Sequence, residues 1–297
     1  MLISLLWLIG WRMDNNTRSQ YDMRYADIVS GKFSNVDFAI FGASQLVHGI
    51  NPKYLEEKGL TSYNFAFNGA SPEFTYHWFT KIFLQYNQAP KVVLIDVSKS
   101  SFDTSYVWRK IEHDSKFFSL NMFMKEMLSA ENPYKSKKIS FLNRFDVFRE
   151  KKHPECLFTK KDEADFDNNR FYKGYVPYLL NVACKKDFLP ESNEQSRLYF
   201  IRQIKEFKSR NCKIIFVASP VFLGDGYNSN LKKFEFVEEL AEKHSITYLN
   251  YNDSLQSEIN LDKSNYADCL HLNDKGSKQF SQRLTADLIH WKATNIK

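Results

Sequence analysis

Five short apolar runs alternate with segments of helical periodicity along this chain of 297 residues. Strands that are apolar almost throughout are typical of a parallel sheet covered by helices on both faces. With right-handed crossovers, five such units predict an α/β fold with a flavodoxin-like doubly wound sheet, which binds ligands at the carboxyl ends of its strands. The predicted strands are residues 38–41, 63–67, 92–97, 214–218 and 246–250.

The helices predicted between these strands carry recognisable end signals. Asn51 and Asn273 stand where an N-cap side chain would accept a hydrogen bond from the first turn. Gly59 can adopt the left-handed conformation that ends a helix. The predicted helices are residues 52–58, 73–86, 194–209, 231–244 and 274–289.

The alternation stops between residues 100 and 192, a stretch rich in aromatic and charged residues and broken by prolines. A segment of this length inside a compact domain favours a largely helical insertion or lid over a bare loop. It follows the third strand, at the edge where ligands bind. We therefore predict one domain over residues 35–297 that contains this insertion, preceded by a hydrophobic segment and linker over residues 1–34.

The first eleven residues are apolar and are followed by Arg12 and a polar stretch. About ten apolar residues cannot span a hydrocarbon core of about 30 Å. The segment is either the remnant of a signal anchor or a short tail that packs on the domain. We favour the anchor, because aromatic residues and an arginine at its end are typical of a membrane interface. This reading places the protein outside the cytoplasm.

Charge and cysteine content restrict the kinds of partner. The net charge of +6 is modest for this length, and the lysine pairs are dispersed among acidic and aromatic residues, which favours solvated faces over a nucleic-acid surface. No Cys/His spacing typical of a zinc site is present, and we expect neither a metal nor a cofactor. Cys156 and Cys184 could pair or stay free, whereas Cys212 and Cys269 are not expected in a disulfide.

Two segments about 220 residues apart carry candidate catalytic groups. Ser44 follows Gly42 where the chain turns from the first strand into a helix, which is a typical position for a nucleophile. Asp268 and His271 stand three residues apart before the last helix, so the carboxylate could orient an imidazole that deprotonates Ser44. The alternative is that Ser44 only begins a helix, while Asp268 caps a turn and His271 packs at a helix start.

In these segments the chain resembles the SGNH/GDSL hydrolase superfamily. Residues 42–44 are similar to its first block, with Ala in place of the usual Asp, and residues 64–71 and 268–276 are similar to its second and last blocks. The resemblance covers roughly residues 36–100 and 195–290. It implies that Ser44 is the nucleophile of a Ser, Asp, His triad and that the backbone N–H of Gly69 stabilises the oxyanion.

The third block departs from the family pattern. After the third strand the chain reads Asp96-Val97-Ser98-Lys99-Ser100, without the Asn that donates its amide to the oxyanion in the family. Ser98, Lys99 or Asn68 could take its place. Asp96 could supply the missing polar group or could anchor a loop.

This departure and the hydrophobic N-terminus are similar to the branch of the superfamily that works in cell-envelope polysaccharide and teichoic-acid acylation. The primary hypothesis is therefore a serine acyl hydrolase or acyltransferase that acts on O-acylated glycans of the cell envelope. We expect it to work with a membrane-bound acyl-transfer partner and not with a nucleic acid. The alternative is a catalytically weak binding or scaffold protein of a polysaccharide modification or export system, because fold alone does not determine function.

Two geometric expectations follow from the primary hypothesis. The Oγ atom of Ser44 should lie within about 4 Å of Nε2 of His271, with Asp268 against Nδ1. Tyr172 and Tyr175, inside the predicted insertion, could touch substrate or could serve only to pack a lid.

Overall fold

The computed structural model describes residues 20–33, 35–102, 170–179, 194–224, 233–253 and 257–296. These residues form a five-stranded sheet in which all neighbouring strands are parallel, in the order β2-β1-β3-β4-β5. This is the flavodoxin-like order, so the predicted fold class is confirmed. The strands are β1 (Phe38–Phe41), β2 (Ser62–Asn64), β3 (Val92–Asp96), β4 (Lys213–Ala218) and β5 (Thr247–Asn250).

The direction of chain winding reverses at β1. Ala39 of β1 pairs with Tyr63 of β2 on one side and with Val93 of β3 on the other. In such sheets the crevice between the two diverging connections is the usual ligand site. The turns that follow β1 and β3 border this crevice.

Strands β1, β2 and β3 are buried on both faces, whereas β5 at the edge is half-buried. Successive side chains of a central strand point into two different cores. Ala39 and Phe41 belong to one cluster, while Phe38 and Ile40 belong to the other, as the period of two in a β-strand requires. This burial explains why the strands are apolar almost throughout.

The helices agree closely with the sequence pattern. Asn51 and Asn273 accept hydrogen bonds from the backbone N–H groups of Lys53 and Gly276, as predicted for N-caps. The segment predicted as a helix over 73–86 is helical but contains a π-helical turn at Trp78–Phe83. The α-helices are α1 (Gln20–Val29), α2 (Ser44–Gly49), α3 (Pro52–Glu56), α4 (Pro72–His77), α5 (Leu84–Tyr86), α6 (Glu194–Ser209), α7 (Glu235–His244), α8 (Ser257–Leu261) and α9 (Asp274–Asn295).

Helix α1 lies in the stretch that the sequence assigned to a linker, and it packs on the domain. Arg24 and Ile28 are buried, and Asp27 accepts a hydrogen bond of 2.6 Å from the hydroxyl of Tyr63. The linker prediction is therefore wrong for residues 20–29, because this helix contributes side chains to the core. Residues 1–19, which include the predicted anchor, lie outside the described residues; in the described part of the chain no helix is long and apolar enough to cross a membrane.

Residues 170–179, here called the strap, are the described part of the predicted insertion beyond Lys99–Phe102, which forms a 3-10 helix. The carbonyl of Lys173 accepts a hydrogen bond of 2.9 Å from the backbone N–H of Asn64, so the strap lies along the edge strand β2. The rest of the insertion, and with it most of the prediction of helices there, lies outside the described residues.

Candidate active site

Asp96 at the end of β3 fixes the turn that carries Ser44. One carboxylate oxygen of Asp96 accepts from the backbone N–H of Ala43 at 3.0 Å, and the other accepts from the N–H of Ser98 at 2.8 Å. A Cβ at Gly42 would lie 2.1 Å from Cβ of Asp96, so only glycine allows this approach. Burial raises the pKa of the Asp96 carboxyl above its ordinary value. Of the two roles predicted for Asp96, the contacts are those of a loop anchor.

Ser44 begins α2 and lies in line with the two other predicted catalytic residues. Its Oγ atom is 2.8 Å from Nε2 of His271. Nδ1 of the same ring is 2.8 Å from a carboxylate oxygen of Asp268. Both distances agree with the geometry expected from the sequence.

Hydrogen bonds to both oxygens fix the orientation of the Asp268 carboxylate. Its second oxygen accepts from the backbone N–H groups of Leu270 and His271, both at 2.7 Å. Burial raises the pKa of Asp268, but the hydrogen bond and charge of His271 and the two N–H groups outweigh it, so the pKa lies below its ordinary value. An ionised Asp268 requires a proton on Nδ1 of His271, which leaves Nε2 to accept the Ser44 hydroxyl proton.

The turn that carries Gly69 lies beside the nucleophile turn. The N–H of Phe67 donates to the carbonyl of Gly42 at 2.9 Å, and the N–H of Ala70 donates back to Phe67 at 3.1 Å. Gly69 has a φ of 71°, the left-handed value that the third position of a type II turn requires. Gly69 and Asn68 therefore follow β2 at the edge of the sheet where Ser44 follows β1.

Asn68 and Ser98 each carry a buried polar side chain. The side-chain amide of Asn68, which is 2% exposed, has no hydrogen-bond partner within the described ranges. Buried polar atoms in native proteins are nearly always paired, so such exceptions often mark functional sites. Ser98 and Lys99 line a small pocket next to Gln45, at the carboxyl ends of β3 and β4.

Gln45 is a site residue for which the sequence offered no signal beyond its place next to the nucleophile. Its amide nitrogen donates to the carbonyl of Leu270 at 3.1 Å, and its amide oxygen accepts from the hydroxyl of Ser100 at 3.0 Å. The side chain thereby joins the nucleophile helix to the histidine loop and to the turn after β3.

The strap brings an aromatic ring to His271, the candidate base. The ring of Tyr178 lies 5.1 Å from the ring of His271, between centroids. Tyr172 and Tyr175, which the sequence suggested as possible substrate contacts, instead donate to carboxylates, those of Glu56 at 2.5 Å and Asp274 at 2.8 Å. Their contacts favour the packing alternative.

Cys269, between the two predicted catalytic residues of its loop, is disulfide-bonded. The expectation that it stays out of disulfides is therefore wrong, because a place between two candidate catalytic residues does not prevent a cysteine from forming a disulfide. Its partner lies outside the described residues, as do Cys156 and Cys184, whereas Cys212 is a buried free thiol. Across the described ranges no group of three or more His, Cys, Asp or Glu side chains could hold a metal ion.

No protein-family model and no curated protein sequence matches the chain. Among solved structures, a candidate acylhydrolase from Bacteroides fragilis is 11% identical, with a TM-score of 0.45 and coverage of 93% of this chain and 99% of its own. A GDSL-like lipase from Bacteroides thetaiotaomicron is 10% identical, with a TM-score of 0.44 and coverage of 91% and 97%. At these values the likeness carries no inference about this chain.

Proposed function

We propose that this protein is a serine-dependent esterase or O-acyltransferase that acts on ester-linked acyl groups, most simply acetyl, of cell-envelope glycans. The proposal is carried by one observation, the alignment of Ser44, His271 and Asp268, with 2.8 Å from Oγ to Nε2 and 2.8 Å from Nδ1 to the carboxylate. The block resemblance in the sequence supports the same chemistry.

In the first half of the reaction, Ser44 attacks the ester carbonyl. Nε2 of His271 takes the hydroxyl proton as the bond from Oγ to the carbonyl carbon forms, and ionised Asp268 stabilises the resulting imidazolium. His271 then gives this proton to the departing alcohol oxygen as the ester bond breaks. The product is an acyl-Ser44 intermediate.

In the second half, water or a sugar hydroxyl attacks the acyl group. His271 takes the proton of the incoming hydroxyl and returns it to Oγ of Ser44 when the acyl bond breaks. Water gives a free acid, and a sugar gives a new ester. Addition of an acceptor oligosaccharide to a reaction with an activated acetyl ester separates the two, because a transferase should convert acetate release into acetylated sugar.

The negative charge on the carbonyl oxygen requires donors in both halves. The backbone N–H groups of Ser44 and Gly69 are the proposed pair, and the buried amide of Asn68 is the proposed replacement for the Asn that the third block lacks. In enzymes that rely on it, one such donor contributes about 2.7–4 kcal/mol to transition-state stability. An amide without a partner in the described part of the chain suits this role, since no existing bond has to be broken.

The cell-envelope location rests on separate observations. The resemblance to the acylation branch and the apolar N-terminal segment both favour an extracytoplasmic protein with a membrane-bound acyl-transfer partner. The disulfide at Cys269 supports this placement, because disulfides persist mainly in oxidising compartments.

Labelling with a fluorophosphonate probe tests the proposal. The wild-type chain should be labelled and should release acetate from O-acetylated xylo-oligosaccharides, and Ser44→Ala should abolish both. A wild-type protein that is not labelled but binds the oligosaccharide would contradict the proposal and support the scaffold alternative.

A further inference from the structure

The strap is fixed to the domain at several points before it reaches the catalytic histidine. A Cβ at Gly174 would lie 1.7 Å from the carbonyl oxygen of Asn64, so the strap lies directly against the end of β2. The guanidinium of Arg24, which is fully buried, donates to the carbonyls of both Asn64 and Gly174. These contacts hold the backbone of the strap in one place relative to the sheet.

The next contact joins the strap to the nucleophile helix. Nδ1 of His48, one turn after Ser44, donates to the carbonyl of Val176 at 2.7 Å. Two residues later, the ring of Tyr178 lies 4.9 Å from the ring of His48 and 5.1 Å from the ring of His271. Tyr178 is half-buried, so part of its surface stays exposed beside these two rings.

The chemistry of the triad fixes which part of a substrate lies near Tyr178. His271 hands its proton to the alcohol oxygen of the ester, so that oxygen must come within hydrogen-bond reach of Nε2. The carbon skeleton bonded to this oxygen therefore lies on the His271 side of Ser44. The ring of Tyr178 contacts His271, so it lies on that side as well.

We infer that Tyr178 is a specificity-determining residue that binds the sugar ring carrying the ester. The inference rests on the proposed function and adds the contact that selects the alcohol. A pyranose presents an apolar C–H face that packs on an aromatic ring, and its hydroxyls can bond to polar groups such as those of Gln45, Ser98 and Ser100 in the neighbouring pocket. A long aliphatic alcohol presents neither a flat ring face nor hydroxyls to this region.

The test compares two acetyl esters that differ only in the alcohol, O-acetylated xylohexaose and ethyl acetate, with the full chain and acetate release as the readout. Tyr178→Ala should raise KM for the xylohexaose ester about tenfold, with a smaller change in kcat, and should affect ethyl acetate much less. Tyr178→Phe should keep the low KM, since the ring makes the contact. Tyr86→Ala, an exposed tyrosine ahead of β3, is the matched control and should change neither substrate.

Binding of acetylated xylohexaose to Ser44→Ala, measured by calorimetry with and without Tyr178→Ala, tests the inference even if no ester is cleaved. About tenfold weaker binding in the double variant supports it. Equal binding, or an equal loss of kcat/KM on both esters, overturns it and leaves Tyr178 as a support for the His271 ring. Acetate release that is the same in wild type and Ser44→Ala would overturn the proposed function instead.

Discussion

Two loops beside the nucleophile differ in how their polar groups are satisfied. In the histidine loop, both oxygens of Asp268 accept hydrogen bonds, three in all, from the ring and backbone of His271 and from Leu270. In the neighbouring turn, the amide of Asn68 is buried without a partner in the described part of the chain. The first loop holds a fixed geometry, whereas the second contains the unpaired amide that we propose as an oxyanion donor.

The largest effect should come from the proton-transfer pair. Ser44→Ala and His271→Ala should each lower kcat by about 10⁴–10⁶, and the double variant should lose little more, because triad members act as a unit. Acetate release under saturating substrate measures this, with the thermal unfolding midpoint as a check on folding. Losses that multiply in the double variant would show that the two side chains work independently.

Asp268→Asn should come next and should affect both activity and stability. The Asn amide can present a donor to Nδ1 of His271, which favours the wrong tautomer, and the expected loss in kcat is about 10⁴. Loss of charge-assisted hydrogen bonds should also lower the free energy of unfolding by about 1–3 kcal/mol. Urea unfolding measures the second effect, and a variant as stable as wild type would contradict the role of this loop as a rigid holder.

Asn68→Leu should separate activity from stability. Loss of a proposed oxyanion donor should lower kcat by about 10²–10³. The free energy of unfolding should stay the same or rise, because an unpaired buried amide is replaced by an apolar group of similar volume.

Asn64→Leu is the matched control for this pair of measurements. Asn64 is fully buried too, but its amide nitrogen donates to the carbonyls of Leu46 and Ile50 at 2.7 Å and 3.0 Å. It should therefore destabilise the protein by about 1–3 kcal/mol. If Asn68→Leu destabilises equally, Asn68 has a structural role and the comparison of the two loops fails.

The smallest effect concerns pH. The pKa of Asp268 is lowered below its ordinary value of 3.8, so the folded state binds this proton less tightly than the unfolded state does. The stability it contributes should be complete above about pH 3.8 and should be lost as the pH falls through the folded pKa. Other carboxyls with a lowered pKa, such as Asp37, remain in the variant. Urea unfolding between pH 2.5 and 7 should therefore show a smaller loss of stability in Asp268→Asn than in wild type, and identical losses would contradict the prediction.

Most elements of the fold could be predicted from local sequence patterns. Strand runs, N-caps at Asn51 and Asn273, and the spacing of Asp268 and His271 each lie within a few residues, where propensity and periodicity determine the outcome. The Ser44 and His271 segments meet across 227 positions because parallel strands deliver their carboxyl ends to one edge. The sequence could therefore predict that these candidate site residues lie close together.

The parts that the sequence missed depend on tertiary contacts. The sequence assigned Arg24 to a linker, but its side chain is buried against the strap. No sequence pattern predicted the two hydrogen-bond partners of Gln45. Tyr178 reaches His271 only because the strap is held by residues from α1 and α2. Such contacts join distant segments, so neither composition nor periodicity reports them.

The bond between Lys173 of the strap and Asn64 has a consequence for assembly. Strand β2 lies at the end of the sheet, and an uncovered edge strand is a template for pairing with another chain. The strap occupies the N–H of Asn64 on that edge, so the segment that presents Tyr178 to the substrate also blocks strand addition there. Truncation of the strap would thus expose the N–H of Asn64 and create a surface for self-association.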